Sequence, residues 1–468
     1  MRRGGSLLTL ALLAGCAGPR PAAPEAASVV PPAAWRTDLA GTGVVAPGWW
    51  GAFGDPALTR VVEAALAGNV DIAIAASRVE EARAQFRLAR GAQLPSLSGT
   101  VAGAEQRAVS AFGLGVDQTQ GQAVLSASYD LDLFGRLANA SAAARASILA
   151  SQAARDGVQL AVAASAASGY LGLRALDARL ASIRDTLVAR AESLRIARRR
   201  SGVGYSPMLE LRQAEAEYQA TAQLIPAAEL AIRRQEDGLN LLLGENPRAI
   251  ARGLALEAIA IPAVPGGLPA EVLRRRPDIA QAEQAVVAAD RTLDSARAAF
   301  MPNVSLSGSG GAVVSSLLAD PITVFSLGGS VLAPLFQGGR LRAQADAAAA
   351  RRDQAAFGYR KAALTAFRDV EDALAALVRS AEQERSLEAQ RTALAQGLVL
   401  ATNRYDAGYS PYLEKLDAQR ALLAAELALV QSRSDRLNAA VALYQALGGG
   451  WSGIRGSVVQ GGDGKGEP

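Results

Sequence analysis

The side chains that most often carry chemistry are nearly absent from this chain. Its 468 residues include no histidine, which removes a Ser-His-Asp triad, a histidine-based zinc site and a histidine general base. A single cysteine, Cys16, cannot close an intrachain disulfide. No glycine-lysine phosphate loop occurs, and Gly202-x-Gly204 lacks the third glycine of a dinucleotide turn. Carboxylates remain, but nothing in their context points to acid–base catalysis. One pair is spaced to act together electrostatically: Glu414 and Asp417 are three residues apart, on one face of a helix. With Lys415 and Arg420 beside them, residue types alone read the pair as ordinary solvated acids. The runs Arg198-Arg199-Arg200 and Arg274-Arg275-Arg276 likewise read as solvated or ion-paired faces. The net charge is only +4, and basic and acidic residues are interspersed, so there is no nucleic-acid footprint. The chain reads as a non-enzyme that calls for no cofactor and no metal.

Cys16 has a telling context. Arg2-Arg3 precede a short apolar run from Leu7 to Ala14, too short to span a bilayer, which ends in Leu13-Ala14-Gly15-Cys16. This resembles a bacterial lipobox: residues 1–15 form the signal, and Cys16 is acylated as the first mature residue. An ordinary signal sequence with a chance cysteine is the other reading. Ala17 after the cysteine resembles outer-membrane sorting. Residues 16–48, with Pro19, Pro21, Pro24, Pro31 and Pro32, are expected to form a stiff, extended spacer.

The elements that must position Glu414 and Asp417 occur twice. Gly204-Tyr205-Ser206-Pro207 with Leu209-Glu210 recurs as Gly408-Tyr409-Ser410-Pro411 with Leu413-Glu414, a shift of 204 residues. Asp71-Ile72-Ala73 returns as Asp278-Ile279-Ala280, and Phe134-Gly135-Arg136-Leu137 as Phe336 followed by Gly339-Arg340-Leu341. The two repeats cover 49–250 and 269–447, with a linker at 251–268 and a glycine-rich tail, expected to be flexible, at 448–468.

Half of the residues are apolar but only 5% are aromatic, which suits closely packed helices. No apolar stretch beyond the signal reaches membrane-helix length, so a membrane-spanning part must use strands closed into a barrel. Over 122–133, Ala123, Leu125, Ala127, Tyr129, Leu131 and Leu133 alternate with Gln122, Ser126, Ser128, Asp130 and Asp132. The repeat partner, 324–335, sets Phe325, Leu327, Val331 and Leu335 against Ser326 and Ser330. Weaker alternation at 97–107 and 303–314 completes one hairpin per repeat. Four strands cannot close a lipid-spanning barrel, for which about eight is the minimum, so several chains must share one. Soluble hairpins packed on the helices are the other reading of this alternation.

Long helices separate the strands, since no proline lies between Pro95 and Pro207 or between Pro334 and Pro411. Arg136 to about Gly202 would span roughly 100 Å as one helix. Leu173, Leu176, Leu180, Ile183 and Leu187, continued by Ala191 and Leu194, make a coiled-coil seam, echoed by Leu394, Leu398, Ala401 and Tyr405. Return helices follow at about 208–243, with a kink expected at Pro226, and at about 412–447. The GYSP segments are tight turns between each outgoing helix and its return. As repeat mates they belong at one end of the molecule.

These features together resemble the TolC-like outer-membrane channels, in the NodT-type lipoprotein branch that serves RND efflux systems. The shared stretches include Trp49-Trp50 with Phe53-Gly54-Asp55-Pro56, Leu131-Asp132-Leu133-Phe134-Gly135-Arg136, Arg275-Arg276-Pro277-Asp278-Ile279 and Leu416-Asp417-Ala418-Gln419-Arg420. The resemblance implies a mainly α fold with a membrane β-barrel: a homotrimer with four strands per chain in one twelve-stranded barrel, its helices continuing as an α-barrel across the periplasm. It implies a gated passive duct in the outer membrane, in contact with outer-membrane lipids and working with a periplasmic adaptor and an inner-membrane RND-type transporter. By the same resemblance Asp417 and Glu414 form an acidic ring at a periplasmic aperture, and Tyr405 helps tie the closed helices together. Ser410 stands where some relatives carry a latch arginine. Adaptors would dock on the turns Gly204, Tyr205, Ser206, Pro207 and Gly408, Tyr409, Ser410, Pro411. A lipid-anchored periplasmic coiled-coil scaffold and the outer component of a type I protein secretion system are the alternatives.

Overall fold

The structure, a computed structural model, describes residues 19–37, 45–109, 112–263, 269–317 and 319–453. Cys16 lies outside the described residues. The first repeat gives helices α1 (Pro56–Gly68) and α2 (Val70–Gly91), strands β1 (Ser96–Val109) and β2 (Gly115–Leu131), and helices α3 (Arg136–Gly202), α4 (Met208–Ala222) and α5 (Leu224–Leu243). The second gives α6 (Pro269–Arg275), α7 (Pro277–Ala298), β3 (Asn303–Ser315), β4 (Ile322–Leu332), α8 (Arg340–Asp406) and α9 (Tyr412–Ala446). The outgoing helices α3 and α8 are both 67 residues long. No described helix is long and apolar enough to cross a membrane.

Two compact units share the chain. One draws on Met1–Val29, Ser77–Gln152 and Gln281–Lys361, the other on Val30–Ala76, Ala153–Ala280 and Ala362–Pro468. The first unit holds the sheet. Its four strands are antiparallel in the order β1-β2-β3-β4, so the two hairpins join through β2 and β3, and β1 and β4 are both edges. Register sorts the side chains cleanly. Ser98, Ser126, Ser309 and Ser326 sit opposite one another across all four strands, and the Ser309 and Ser326 hydroxyls are 2.8 Å apart. The neighbouring row of Leu97, Ala127, Gly308 and Leu327 points to the other face, since side chains alternate along a strand. On that apolar face Leu97, Val101, Leu125, Phe325, Leu327 and Val331 are all exposed. The described residues therefore do not cover it, contrary to the packed-hairpin reading.

The Pro-rich segment that starts at Pro19 is laid on helices of this same unit. Proline cannot donate a backbone hydrogen bond, but its carbonyl still accepts. Arg297 donates to the Pro19 carbonyl (3.1 Å), and Arg352, only 4% exposed, donates to those of Pro21 and Ala22 (both 2.8 Å). Arg20 pairs with Asp290 at 2.7 Å. Residues 19–22 of the expected spacer thus form a strap on these helices.

The second unit is built on helix packing. Asp55 caps α1, its Oδ1 accepting from the Ala57 amide (2.8 Å), with Pro56 suited to the first helical position. Its Oδ2 accepts from the Tyr170 hydroxyl (3.0 Å) and the Leu254 amide (3.2 Å), and the Tyr170 oxygen accepts from the Gly253 amide (2.8 Å). This buried carboxylate fastens α1, α3 and the segment after α5 together. The kink expected at Pro226 is a break: α4 ends at Ala222 and α5 starts at Leu224, because proline clashes with the carbonyl four residues back and offers it no N–H. The seam on α3 differs by one position from expectation. Ala191 is exposed and Arg190 is buried, so the series runs Ile183, Leu187, Arg190, Leu194, Ala197 with an arginine at a heptad core position. The expected flexible tail also begins fastened, with Trp451 Nε1 donating to Asp156 Oδ2 at 2.9 Å.

Candidate functional site: the paired helix turns

Both outgoing helices have their C-terminal ends in the second unit, and both end in the same local structure. At the end of α3, Gly204 adopts φ +72°, its amide bonds to the Ser201 carbonyl (3.0 Å), and the Tyr205 amide reaches back to Arg200 (2.8 Å). At the end of α8, Gly408 has φ +78°, bonding to Tyr405 (3.0 Å), and Tyr409 bonds to Arg404 (2.8 Å). These are Schellman ends, and only glycine takes that φ without strain. Pro207 and Pro411, both extended, then cap the return helices α4 and α9. The turns leave Tyr205 and Tyr409 78% and 82% exposed. The hydroxyl oxygens of Ser206 and Ser410 are buried without a hydrogen-bond partner.

The two turns meet in one cluster. Leu194, Ala197 and Ala214 from the first repeat pack with Tyr405, Tyr412 and Leu416 from the second. The Tyr405 hydroxyl donates to the carboxylate of Glu210 on α4. The Tyr405 ring meets Tyr412 edge-on at 5.6 Å, with the Arg200 guanidinium 4.9 Å from its centroid and the Lys415 ammonium at 5.3 Å. Burial first, and the Glu210 carboxylate second, push the Tyr405 phenol well above its ordinary pKa, so it stays a donor. Sequence reasoning did not pick out Glu210 as its acceptor, although the residue belongs to the repeated motif.

The acid pair is close by, and each acid has an arginine. Glu414 Oε1 lies 3.0 Å from Arg404 Nε. Asp417, with a side chain 64% exposed, is 3.5 Å from Arg420. Beneath them is a network that the sequence did not disclose. Glu217, buried on α4, pairs with Arg190 of α3 (2.7 Å) and with Arg420 of α9. Arg190 also donates to the Glu217 carbonyl (3.0 Å) and the Thr221 hydroxyl. Burial lowers the Arg190 pKa, while Glu217 opposes that and favours the charged guanidinium. An ion pair at this depth is expensive to break from one side. The available signal was Arg190 in a heptad core position. Among the described residues, no cluster of His, Cys, Asp or Glu could hold a metal. The site can tie two helix ends together and present carboxylates.

The chain is similar over most of its length to known outer-membrane proteins. The family model described as outer membrane efflux protein matches residues 61–245 and 268–449, one block per repeat. The solvent efflux pump outer membrane protein SrpC of Pseudomonas putida is 37% identical over 408 residues, covering 86% of this chain and 87% of that protein. The antibiotic efflux pump outer membrane protein ArpC of the same species is 36% identical over 470 residues, covering 95% and 96%. Among solved structures, the outer-membrane channel OprN superposes with a TM-score of 0.83 at 28% identity, covering 93% of this chain and 99% of that one. The chain therefore belongs to the outer membrane efflux protein family, as a passive outer-membrane conduit of an efflux pump and not an enzyme.

Proposed function

We propose that three copies of this chain form one gated duct that passes small molecules out through the outer membrane. The sheet carries the proposal: it has one serine-rich face, one exposed apolar face and two unpaired edges. Four strands are too few to close a barrel, and open edges do not persist in lipid. Joining β4 of one copy to β1 of the next in a closed ring of three gives twelve strands. The apolar face then meets lipid and the serine rows line the lumen.

In this reading the helices continue into the periplasm and the paired turns are its closed end. Glu414 and Asp417 give the aperture its acidic character, tempered by Arg404 and Arg420, and the Tyr405–Glu210 bond holds two helix ends together. The exposed Tyr205 and Tyr409 turns receive a periplasmic adaptor that connects the duct to an inner-membrane RND-type transporter. Acylation of Cys16 anchors the chain. Relatives named for solvent and antibiotic efflux pumps support small-molecule cargo.

Planar-bilayer recording of the purified acylated protein tests the duct and its gate. The expected result is a low, rarely opening conductance that rises in Asp417→Ala. Conductance unchanged by the substitution would remove the gate and keep the duct. Absence of conductance from correctly folded protein would overturn the proposal.

A further inference from the structure

We propose that Arg420, fixed in place by the buried carboxylate of Glu217, is the counter-charge of Asp417 and sets how strongly the aperture prefers cations. The inference rests on the reading of Asp417 as an aperture residue.

Arg420 lies between two acids of unlike environment. Its Nε is 3.0 Å from Glu217 Oε1, its Nη2 binds the same oxygen, and its Nη1 is 3.5 Å from Asp417 Oδ1. Glu217 is 10% exposed and cannot turn away, because Arg190, 6% exposed, grips its other oxygen. Asp417 is the exposed member, so its charge is the one a passing ion meets. Three other cations of these helix ends are engaged elsewhere: Arg404 pairs with Glu414, and Lys415 and Arg200 lie against the Tyr405 ring. Arg190, Glu217, Arg420 and Asp417 are together neutral. Without Arg420 the buried pair Arg190–Glu217 remains balanced and Asp417 stands alone. Without the Glu217 charge, Arg420 is released and Asp417 becomes its nearest acid.

Opposite signs follow from the two substitutions, which a merely structural role would not produce. Reversal potentials in a KCl gradient across planar bilayers give the cation-to-anion permeability ratio of wild type, Arg420→Gln, Glu217→Gln and Asp417→Asn. A change of about one kT at the aperture corresponds to roughly a threefold change in ion occupancy. Arg420→Gln is expected to raise the ratio by about that factor or more, and Asp417→Asn and Glu217→Gln to lower it. If Glu217→Gln does not assemble, the shift in Arg420→Gln, at an unchanged melting temperature, decides the matter. A ratio unmoved by Arg420→Gln while Asp417→Asn lowers it would overturn the role of Arg420 and leave the aperture reading intact. A ratio unmoved by either would overturn both.

Discussion

Tyr405 and Glu210, 195 residues apart in the chain, share one hydrogen bond in which the phenol donates to the carboxylate. It joins the end of α8 in one repeat to the start of α4 in the other. Tyr405→Phe keeps the ring and its packing on Tyr412 and loses only the donor. We expect open events to become several-fold more frequent, with a stability loss of about 2 kcal/mol, as for a hydrogen bond to a charged group. Single-channel recording and thermal unfolding measure the two separately. Unchanged gating alongside the stability loss would make the bond structural only.

The buried group around Asp55 predicts a response to alkali. Burial, more than the nearby Asp55 carboxylate, raises the Tyr170 pKa to about 12, with the Gly253 amide working against it. The folded chain thus holds this proton more tightly than the unfolded chain. The stability it contributes is complete below about pH 10 and is lost as pH rises toward about 12. Melting temperatures between those limits should fall more steeply in wild type than in Tyr170→Phe. At neutral pH that variant should be less stable by about 1–3 kcal/mol, because the Gly253 amide and Asp55 each lose a partner. Parallel pH curves would exclude Tyr170 as the titrating group.

The two faces of the sheet should respond differently to charge. Leu327→Arg puts a cation on the apolar face, where a lipid-facing position near the bilayer midplane costs about 2–4 kcal/mol. Ser309→Arg, on the serine face, should destabilise less and instead alter conductance. Denaturant unfolding from lipid vesicles compares them. Equal destabilisation would sink the assignment of faces.

Tyr205 and Tyr409 make the docking test. As exposed residues, their change to alanine should shift stability by no more than about 0.5 kcal/mol. Conductance should stay at the wild-type level while cells coexpressing the adaptor and transporter lose resistance to the cargo. Full resistance in the double variant would exclude the tyrosines as docking residues.

Much of this was readable in the residues. Period-two alternation located all four strands to within several residues, since one face must stay apolar. The lack of proline located two helices of equal length, and Gly-Tyr-Ser-Pro located their ends. Local pattern could not reveal partners distant in the chain. Glu217 resembles any helix-surface acid until α3 and α9 close on it. Arg190 breaks the apolar seam and so invited a shift to Ala191. The run of prolines suggested a spacer because composition reports stiffness but not which carbonyls Arg297 and Arg352 will take.

The duplicated turns also show how a copied motif can divide its labour. Arg404 and Glu414 satisfy each other within their own turn. Their older or younger siblings, Arg200 and Glu210, both attend to Tyr405 of the other repeat. One copy is self-sufficient; the other has its charges free to hold a neighbour. Drawing the two turns apart would break the Tyr405–Glu210 bond, the Arg200 contact with the Tyr405 ring and the Arg420–Glu217 pair, yet leave the Arg404–Glu414 clasp whole, so the second turn would keep its own charges paired throughout.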